Sequence, residues 1–195
     1  MPKTLSEKIA AGEFAVSVQM DPPKNDPATK FDLAKFRSRL SSLREAGVEI
    51  VDINTKYDIC AMDSLQLACF CNTLGFSAIP HLSPRDDPQG VSMYKRLSTA
   101  YALYGLREAL IVSGDLVGSE NVKWHGYVNS TKSFDAVHVI NAIHRELILR
   151  EICPDLKLGA AFDHNASDMD KELYRLRWKA DNRVDFFMTQ IAFDA

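Results

Sequence analysis

The pattern that decides the fold is clearest in residues 105–115, which read GLREALIVSGD. A glycine after a helical segment leads into the apolar run Ala109–Val112, and this run ends at Ser113, Gly114 and Asp115. Short apolar runs rich in Val, Ile and Phe are typical of buried parallel strands. In a β/α barrel the active site lies at the carboxyl ends of such strands, so polar residues collected there indicate an enzyme.

The same unit of helix, breaker and strand recurs along the chain. Glycine, the usual residue just beyond a helix, follows three of the helical segments. The predicted helices cover about residues 31–46, 62–74, 90–104, 133–151 and 168–180. The predicted strands cover about residues 14–19, 48–53, 77–82, 108–113, 156–162 and 185–191. This alternation predicts an α/β protein with a parallel sheet.

The number of strands leaves the closure of the sheet open. A (β/α)8 TIM barrel needs eight strands and typically about 250 residues. We therefore expect residues 1–195 to form a single, incomplete β/α-barrel domain with about six strands and five helices. The remaining units are either missing from this sequence or replaced by a partner. An open doubly wound sheet is the alternative, and the absence of the dinucleotide fingerprint G-x-G-x-x-G disfavours it.

The composition of the chain indicates which partners it binds and in which cellular compartment it is found. The net charge of −3 and the pI near 5.9 argue against nucleic acid as a partner. No apolar stretch approaches the roughly 18 residues of a membrane span, and the first residues lack the apolar core of a signal peptide. The four cysteines form no C-x-x-C pair, which favours a reduced, cytoplasmic protein. No His or Cys cluster has the spacing of a metal site, and a homo-oligomer is compatible with the sequence.

Polar residues also follow the other apolar runs. They are Gln19 and Asp21, Asp52 and Asn54, His81 with Arg85, and Gln190 with Asp194. His81 has two equally good explanations, a histidine of the core or a residue of the functional site. The turn at Ser113–Asp115 either only reverses the chain or lets a flat ligand approach the backbone at Gly114. Gln190 has an amide that needs partners, and a heterocycle with alternating donors and acceptors would supply them.

At these positions the sequence resembles the methylenetetrahydrofolate reductase family, particularly the form fused to homocysteine S-methyltransferases. The matching motifs are collinear over nearly the whole chain, and their ordered set is more specific than any one of them. They read VSVQMDPPK at 16–24, IPHLSPRD at 79–86, LIVSGD at 110–115, GAAF at 159–162, LYRLRWK at 173–179 and FFMTQIAFD at 186–194.

The resemblance implies a β/α barrel that interconverts 5,10-methylenetetrahydrofolate and 5-methyltetrahydrofolate in one-carbon and methionine metabolism. NAD(P)H would supply the hydride and FAD would usually carry it, while protein groups position the cofactor. The implied partners are therefore tetrahydrofolate derivatives and a nicotinamide nucleotide. By resemblance, Asp115 and Gln190 bind the pterin. The residues implied around the flavin are His81, Ser113, Gly114, Asp115, Phe162, Glu172 and Lys179.

One departure from the family concerns the proton. The family has glutamate where this chain has Gln19, and that acid is thought to protonate the folate as its five-membered ring opens. General acids typically contribute about 10²–10⁴ in rate. Residues i and i+2 share one face of a strand, so Asp21 is the candidate replacement, with Gln19 positioning the folate. This interpretation needs a raised pKa at Asp21. The alternative is that Asp21 only caps the turn into Pro22.

The other departures concern the flavin and the reaction class. Ser113 stands where the family's main form has arginine, Phe162 replaces a tyrosine, and Glu172 replaces an aspartate. Fewer polar contacts follow, so we expect FAD binding to be weak or lost. The first rival function is a redox-inactive folate-binding or methyl-carrier protein, which Gln19 favours. The second is a barrel aldolase or lyase. No lysine ends a predicted strand where it could form a Schiff base, and this disfavours it.

Overall fold

Six parallel strands form one sheet in the computed structural model, which describes residues 2–24, 32–56, 61–84, 91–113 and 133–189. The strands pair in chain order, from the first to the sixth. They are β1 (Ser17–Met20), β2 (Ile50–Ile53), β3 (Ser77–Leu82), β4 (Glu108–Ile111), β5 (Lys157–Phe162) and β6 (Phe186–Thr189). Sequential parallel order with intervening helices is the arrangement of a partial (β/α)8 barrel, so the predicted fold class and all six strands are confirmed.

The helices alternate with the strands, and all five predicted helices are present. They are α2 (Leu33–Glu45), α3 (Ser64–Thr73), α4 (Val91–Tyr104), α5 (Ser133–Ile143) and α6 (Met169–Asp181), preceded by α1 (Leu5–Ala10). Helix α1 is not among the predicted helices. Its signal is a capping box, in which the Thr4 side chain accepts the Glu7 N–H and the Glu7 carboxylate accepts the Thr4 N–H. The predicted end of α5 also differs, because its last turn, His144–Ile148, is π-helical.

Three of the helices end as the glycine pattern predicts. Gly47, Gly75 and Gly105 follow α2, α3 and α4 and have φ values of 79°, 84° and 65°. Only glycine adopts this left-handed region at no steric cost, so these residues stop each helix and turn the chain back into the sheet. Among the described residues, none of the helices combines the length and hydropathy of a membrane-spanning segment.

The sheet has two apolar faces with different neighbours. One face packs against the helices through residues such as Val51, Ala109 and Ala160. The other is the inner face of the barrel, where Ile50, Ile79, Leu110 and Phe186 form a separate cluster. The Phe186 ring lies over Gly159, and a Cβ atom at Gly159 would overlap it. These side chains fill part of the inner face, and at its amino end they include Ile50 and Phe186, the first residues of β2 and β6.

Helix α1 is fastened to this amino end by a buried carboxylate. Glu108, the first residue of β4, is only 1% exposed. Its two oxygens accept the backbone N–H groups of Leu5 and Ser6 over 2.9 and 2.6 Å. The first N–H groups of a helix have no partner within it, so Glu108 satisfies both. The Leu5 side chain packs against the inner cluster, and α1 thereby covers it.

Candidate functional site

A group of polar side chains lies on the inner face of β1 and β2, toward their carboxyl ends. Gln19 and Asp52 are register partners on these neighbouring strands, so their side chains point to the same face. Ser17, two residues before Gln19, donates its hydroxyl hydrogen to Asp52 Oδ2 over 2.8 Å. Gln19 is exposed and Asp52 is buried. The exposed amide therefore lies one strand away from a buried carboxylate.

The buried carboxylate is paired with the predicted histidine. Asp52 Oδ1 lies 3.2 Å from His81 Nε2, and the two residues are only 2% and 7% exposed. Both atoms are buried without an aligned hydrogen bond. Leaving a buried polar atom unsatisfied costs roughly 1–3 kcal/mol, so the arrangement is not the one that stability alone favours. Unsatisfied groups of this kind call for an explanation, and a catalytic role is one of those available.

The backbone at His81 is held from the helix side. Ser64, at the start of α3, donates its hydroxyl hydrogen to the His81 carbonyl over 2.6 Å. His81 is thus a strand-end residue of the inner face, as the sequence predicts. Asp52 is recognisable in the sequence as a strand-end polar residue, but the sequence alone did not assign it to the site. The signal was a carboxylate placed between Val51 and Ile53 in an otherwise apolar strand.

Asp21 does not have the property that its proposed acid role needs. Strand β1 ends at Met20, so the face shared by alternate residues does not extend to Asp21. Its carboxylate lies 2.7 Å from Lys56 Nζ and accepts a hydrogen bond from Asn54 Nδ2 over 3.2 Å. The hydrogen bond from Lys56 is the main cause that holds the pKa of Asp21 below its usual value. The expectation of a raised pKa is therefore wrong, and Asp21 ties the end of β1 to the chain after β2.

Ser113 and Phe162 occupy strand ends of different character. Ser113 follows β4 and is half-buried, and its carbonyl accepts the Ser83 hydroxyl hydrogen over 3.1 Å. This bond links the carboxyl ends of β3 and β4. Phe162 is the last residue of β5 and shares the face of Leu158 and Ala160, which pack against the helices. The register therefore places Phe162 on the helix side of the sheet and not on its inner face.

Glu172 and Lys179 form a buried pair on α6. Each is 6% exposed, and Lys179 Nζ lies 3.9 Å from Glu172 Oε1. Lys179 also donates a hydrogen bond to the Ala161 carbonyl over 2.5 Å, and Arg175 lies 3.1 Å from Glu172 Oε2. Burial lowers the pKa of Lys179, while the Glu172 carboxylate opposes that shift. The pair fastens α6 to the end of β5, so both charges have partners within the protein.

The remaining predicted site residues are Gly114, Asp115 and Gln190, which lie outside the described residues. Their roles stay predictions. Within the part of the chain that the structure describes, no three His, Cys, Asp or Glu side chains come together as a metal-binding set. The structure thus brings together Gln19, Asp52 and His81 at the inner face, and it places Phe162, Glu172 and Lys179 in the layer between sheet and helices.

Comparison with known proteins identifies the same family as the sequence motifs. The model of the methylenetetrahydrofolate reductase family matches residues 4–195. None of the curated proteins matches the chain significantly.

Three solved structures share the fold. An uncharacterized protein from Clostridium thermocellum that binds two copies of 5-methyl-5,6,7,8-tetrahydrofolic acid has a TM-score of 0.57 and 17% identity, with 97% of this chain and 59% of that one covered. A riboflavin lyase with modified FMN and riboflavin has a TM-score of 0.54 and 11% identity, with 91% of this chain and 62% of that one covered. An N-acetylneuraminate lyase from Proteus mirabilis has a TM-score of 0.51 and 9% identity, with 93% of this chain and 58% of that one covered. The chain spans about three-fifths of each, and at these identities the likeness concerns the fold alone.

Proposed function

The chain belongs to the methylenetetrahydrofolate reductase family, and we propose that its barrel mouth binds a tetrahydrofolate and interconverts the 5,10-methylene and 5-methyl forms with NAD(P)H. The observation that carries the proposal is the polar group of Gln19, Asp52 and His81 on the inner face near the carboxyl ends of the strands. Barrel enzymes hold their substrates at this end. The structural neighbour from Clostridium thermocellum, which binds 5-methyltetrahydrofolate, supports a folate as the ligand.

We assign the pterin ring to Asp115 and Gln190. In the sequence, Asp115 comes two residues after Ser113 at the end of β4, and Gln190 directly follows β6. A carboxylate accepts hydrogen bonds from the N–H donors of the ring, and an amide both donates and accepts. This assignment matches the family motifs and the chemistry of a pterin edge.

The described residues do not fit a resident flavin. Phe162 shares the helix-facing side of β5 with Leu158 and Ala160. Glu172 and Lys179 are buried against each other and against backbone groups. Each of these three residues is implied by resemblance as a flavin contact, yet each has partners or an orientation that serves the protein itself. We therefore propose that NAD(P)H gives its hydride to the folate directly.

The reaction then needs a hydride and a proton. In 5,10-methylenetetrahydrofolate one carbon bridges N5 and N10, and protonation of N10 releases this carbon as an iminium on N5. Hydride from the nicotinamide reduces the iminium to the 5-methyl group. The amide of Gln19 can bind the folate by hydrogen bonds, but it has no proton to give at neutral pH. The same absence of an acid at position 19 favours the second candidate, a folate carrier without redox activity.

Two measurements test the proposal. Calorimetry with 5-methyltetrahydrofolate should show binding by the wild type, and Asp115→Ala or Gln190→Ala should weaken it about tenfold or more, since an unpaired buried polar group costs about 1–3 kcal/mol. Asp181→Asn, on an exposed residue at the far end of α6, is the matched control and should bind like the wild type. Loss of nicotinamide absorbance with 5,10-methylenetetrahydrofolate should report turnover.

The outcomes separate the candidates. Binding together with oxidation of NADH or NADPH supports the reductase. Binding without any oxidation of the nicotinamide supports the carrier. If neither 5-methyltetrahydrofolate nor 5,10-methylenetetrahydrofolate binds, both candidate functions are wrong. Binding that is unchanged in Asp115→Ala and Gln190→Ala removes the pterin assignment.

A further inference from the structure

We propose that His81 donates the proton that opens the folate ring and that Asp52 is the positioning residue behind it. This inference rests on the proposed function, because it concerns the same folate at the same barrel mouth. It assigns to the pair a task that the family motifs give to the residue at position 19. It also replaces Asp21, whose lowered pKa leaves it charged at neutral pH.

The first observation is where the carboxylate lies. Position 19 carries an amide in this chain, and its register partner on the next strand is Asp52. Register partners in parallel strands present their side chains side by side on one face. A carboxylate is therefore present at the same level of the inner face, displaced by one strand.

The second observation is how the carboxylate is partnered. Ser17 donates a hydrogen bond to Oδ2 over 2.8 Å, which leaves Oδ1 for His81 Nε2 at 3.2 Å. Both Oδ1 and Nε2 are buried and lack an aligned hydrogen bond, so each atom gains its partner when the imidazole turns Nε2–H toward Oδ1. A buried carboxylate in this position fixes the tautomer and the orientation of an imidazole.

The third observation is which of the two side chains can reach a ligand. The Asp52 side chain is 3% exposed and the His81 side chain is 9% exposed. His81 is the less buried of the two, so we place His81 next to the folate and Asp52 behind it. Because Nε2 faces Asp52, Nδ1 is the nitrogen left to donate.

The proton step balances with the reductant of the proposed function. The His81 cation gives its Nδ1 proton to N10 of the folate as the bond between N10 and the bridging carbon breaks. The electron pair of that bond stays on N10, and the N5 lone pair forms the iminium. NAD(P)H then supplies the hydride, and neutral His81 takes a new proton from water. The sum consumes one NAD(P)H and one proton for each methyl group formed.

The experiment compares Asp52→Asn, His81→Gln and the double variant with the wild type. Each single variant should lower kcat about tenfold or more while KM for 5,10-methylenetetrahydrofolate changes less than about threefold, the pattern of a group that acts in the transition state. The double variant should be no slower than the slower single variant, because residues that act as a unit are not additive. Asp181→Asn again serves as the matched carboxyl-to-amide control.

Nitrogen NMR of His81 gives a readout that a purely structural residue would not move. In the wild type the neutral ring should carry its proton on Nε2, facing Asp52. In Asp52→Asn the side-chain oxygen keeps the Ser17 hydroxyl, so the amide N–H faces Nε2 and the proton should move to Nδ1. A His81 proton on Nδ1 in the wild type contradicts the inference, even if the variant does not fold.

The kinetic outcomes distinguish the inference from the proposed function. If the wild type reduces the folate and Asp52→Asn keeps its kcat, the inference is wrong and the proposed function stands. If the wild type binds the folate but does not reduce it, the proposed reductase and the proton step both fail. Additive losses in the double variant would show that Asp52 and His81 do not act as one unit.

Discussion

Two buried carboxylates lie at opposite ends of this barrel and are treated differently by their surroundings. Glu108, at the amino end, is 1% exposed, and both of its oxygens accept backbone N–H groups of α1. Asp52, toward the carboxyl end, is 2% exposed, and one of its oxygens faces His81 without an aligned hydrogen bond. The two carboxylates are thus equally buried, but both oxygens of Glu108 accept hydrogen bonds, whereas one oxygen of Asp52 does not.

The difference separates stability from function in physical terms. A buried charge is costly unless it is hydrogen-bonded. Glu108 accepts hydrogen bonds from the first N–H groups of α1, which have no partner within that helix. One oxygen of Asp52 accepts the Ser17 hydroxyl hydrogen, and the other faces the imidazole ring of His81. We expect changes at Glu108 to act on the free energy of unfolding and changes at Asp52 to act on turnover.

The largest expected loss of stability follows Glu108→Ala. It leaves the N–H groups of Leu5 and Ser6 without their acceptor, and at 1–3 kcal/mol for each of these two groups the free energy of unfolding should fall by about 2–6 kcal/mol. Denaturant unfolding monitored by circular dichroism measures it. Glu49→Ala, which removes an exposed carboxylate paired with Lys8, is the control and should cost less than about 1 kcal/mol.

The comparison is sharpened by the carboxyl-to-amide changes at both ends. Glu108→Gln replaces one acceptor oxygen with a donor that faces an N–H group, whereas an amide at Asp52 can still accept from Ser17 and donate to His81. Glu108→Gln should therefore cost more stability than Asp52→Asn. Equal losses of stability would break the contrast between the two ends.

A smaller effect is expected from packing at the inner face. Gly159→Ala places a methyl group where the Phe186 ring lies, and overpacking of this kind costs typically about 1–3 kcal/mol. Adding Phe186→Leu removes part of the ring, so the double variant should lose less than the sum of the two single losses. Thermal unfolding of the three variants checks this coupling, and strictly additive losses would show that the ring does not limit position 159.

The smallest effect is expected at Asp21. Its pKa is lowered in the folded protein by Lys56, so its contribution to stability is present above the ordinary value of 3.8 and is lost as the pH falls through the lower folded value. The carboxylate is 56% exposed, and solvent screening keeps the contribution below about 0.5 kcal/mol. Asp21→Asn should therefore differ from the wild type in the free energy of unfolding at neutral pH, and the difference should shrink as the pH falls below 3.8. A difference that grows toward acid would contradict the ion pair.

The fold was readable from the sequence because its signals are local. Each helix stop at Gly47, Gly75 or Gly105 needs only the conformational freedom of one residue, and each strand is an apolar run of a few residues. The family motifs are also short stretches of the sequence, and the match over residues 4–195 confirms the family. Helix α1 was missed although its capping signal, Thr4 with Glu7, is local too.

The site was only partly readable. His81 was predicted at its strand end, and the inner-face position is confirmed by its pairing with Asp52. The pKa of Asp21 was predicted in the wrong direction, because Lys56 lies 35 residues away and only the sheet brings it near. The resemblance implies Phe162 as a flavin contact, and this role stays a prediction, while the register of β5 places the residue on the helix side.

By itself, the sequence determined the alternation of strands and helices, the helix ends and the family, since these depend on neighbours along the chain. Only the tertiary structure decided which polar groups meet. Glu108 reaches α1 across 103 residues, and Ser17 reaches Asp52 across 35. Such pairs depend on strand register and barrel curvature, which place side chains from distant segments on one face and bury them together. Burial then decides whether a carboxylate supports the fold or is left to act on a neighbouring ring.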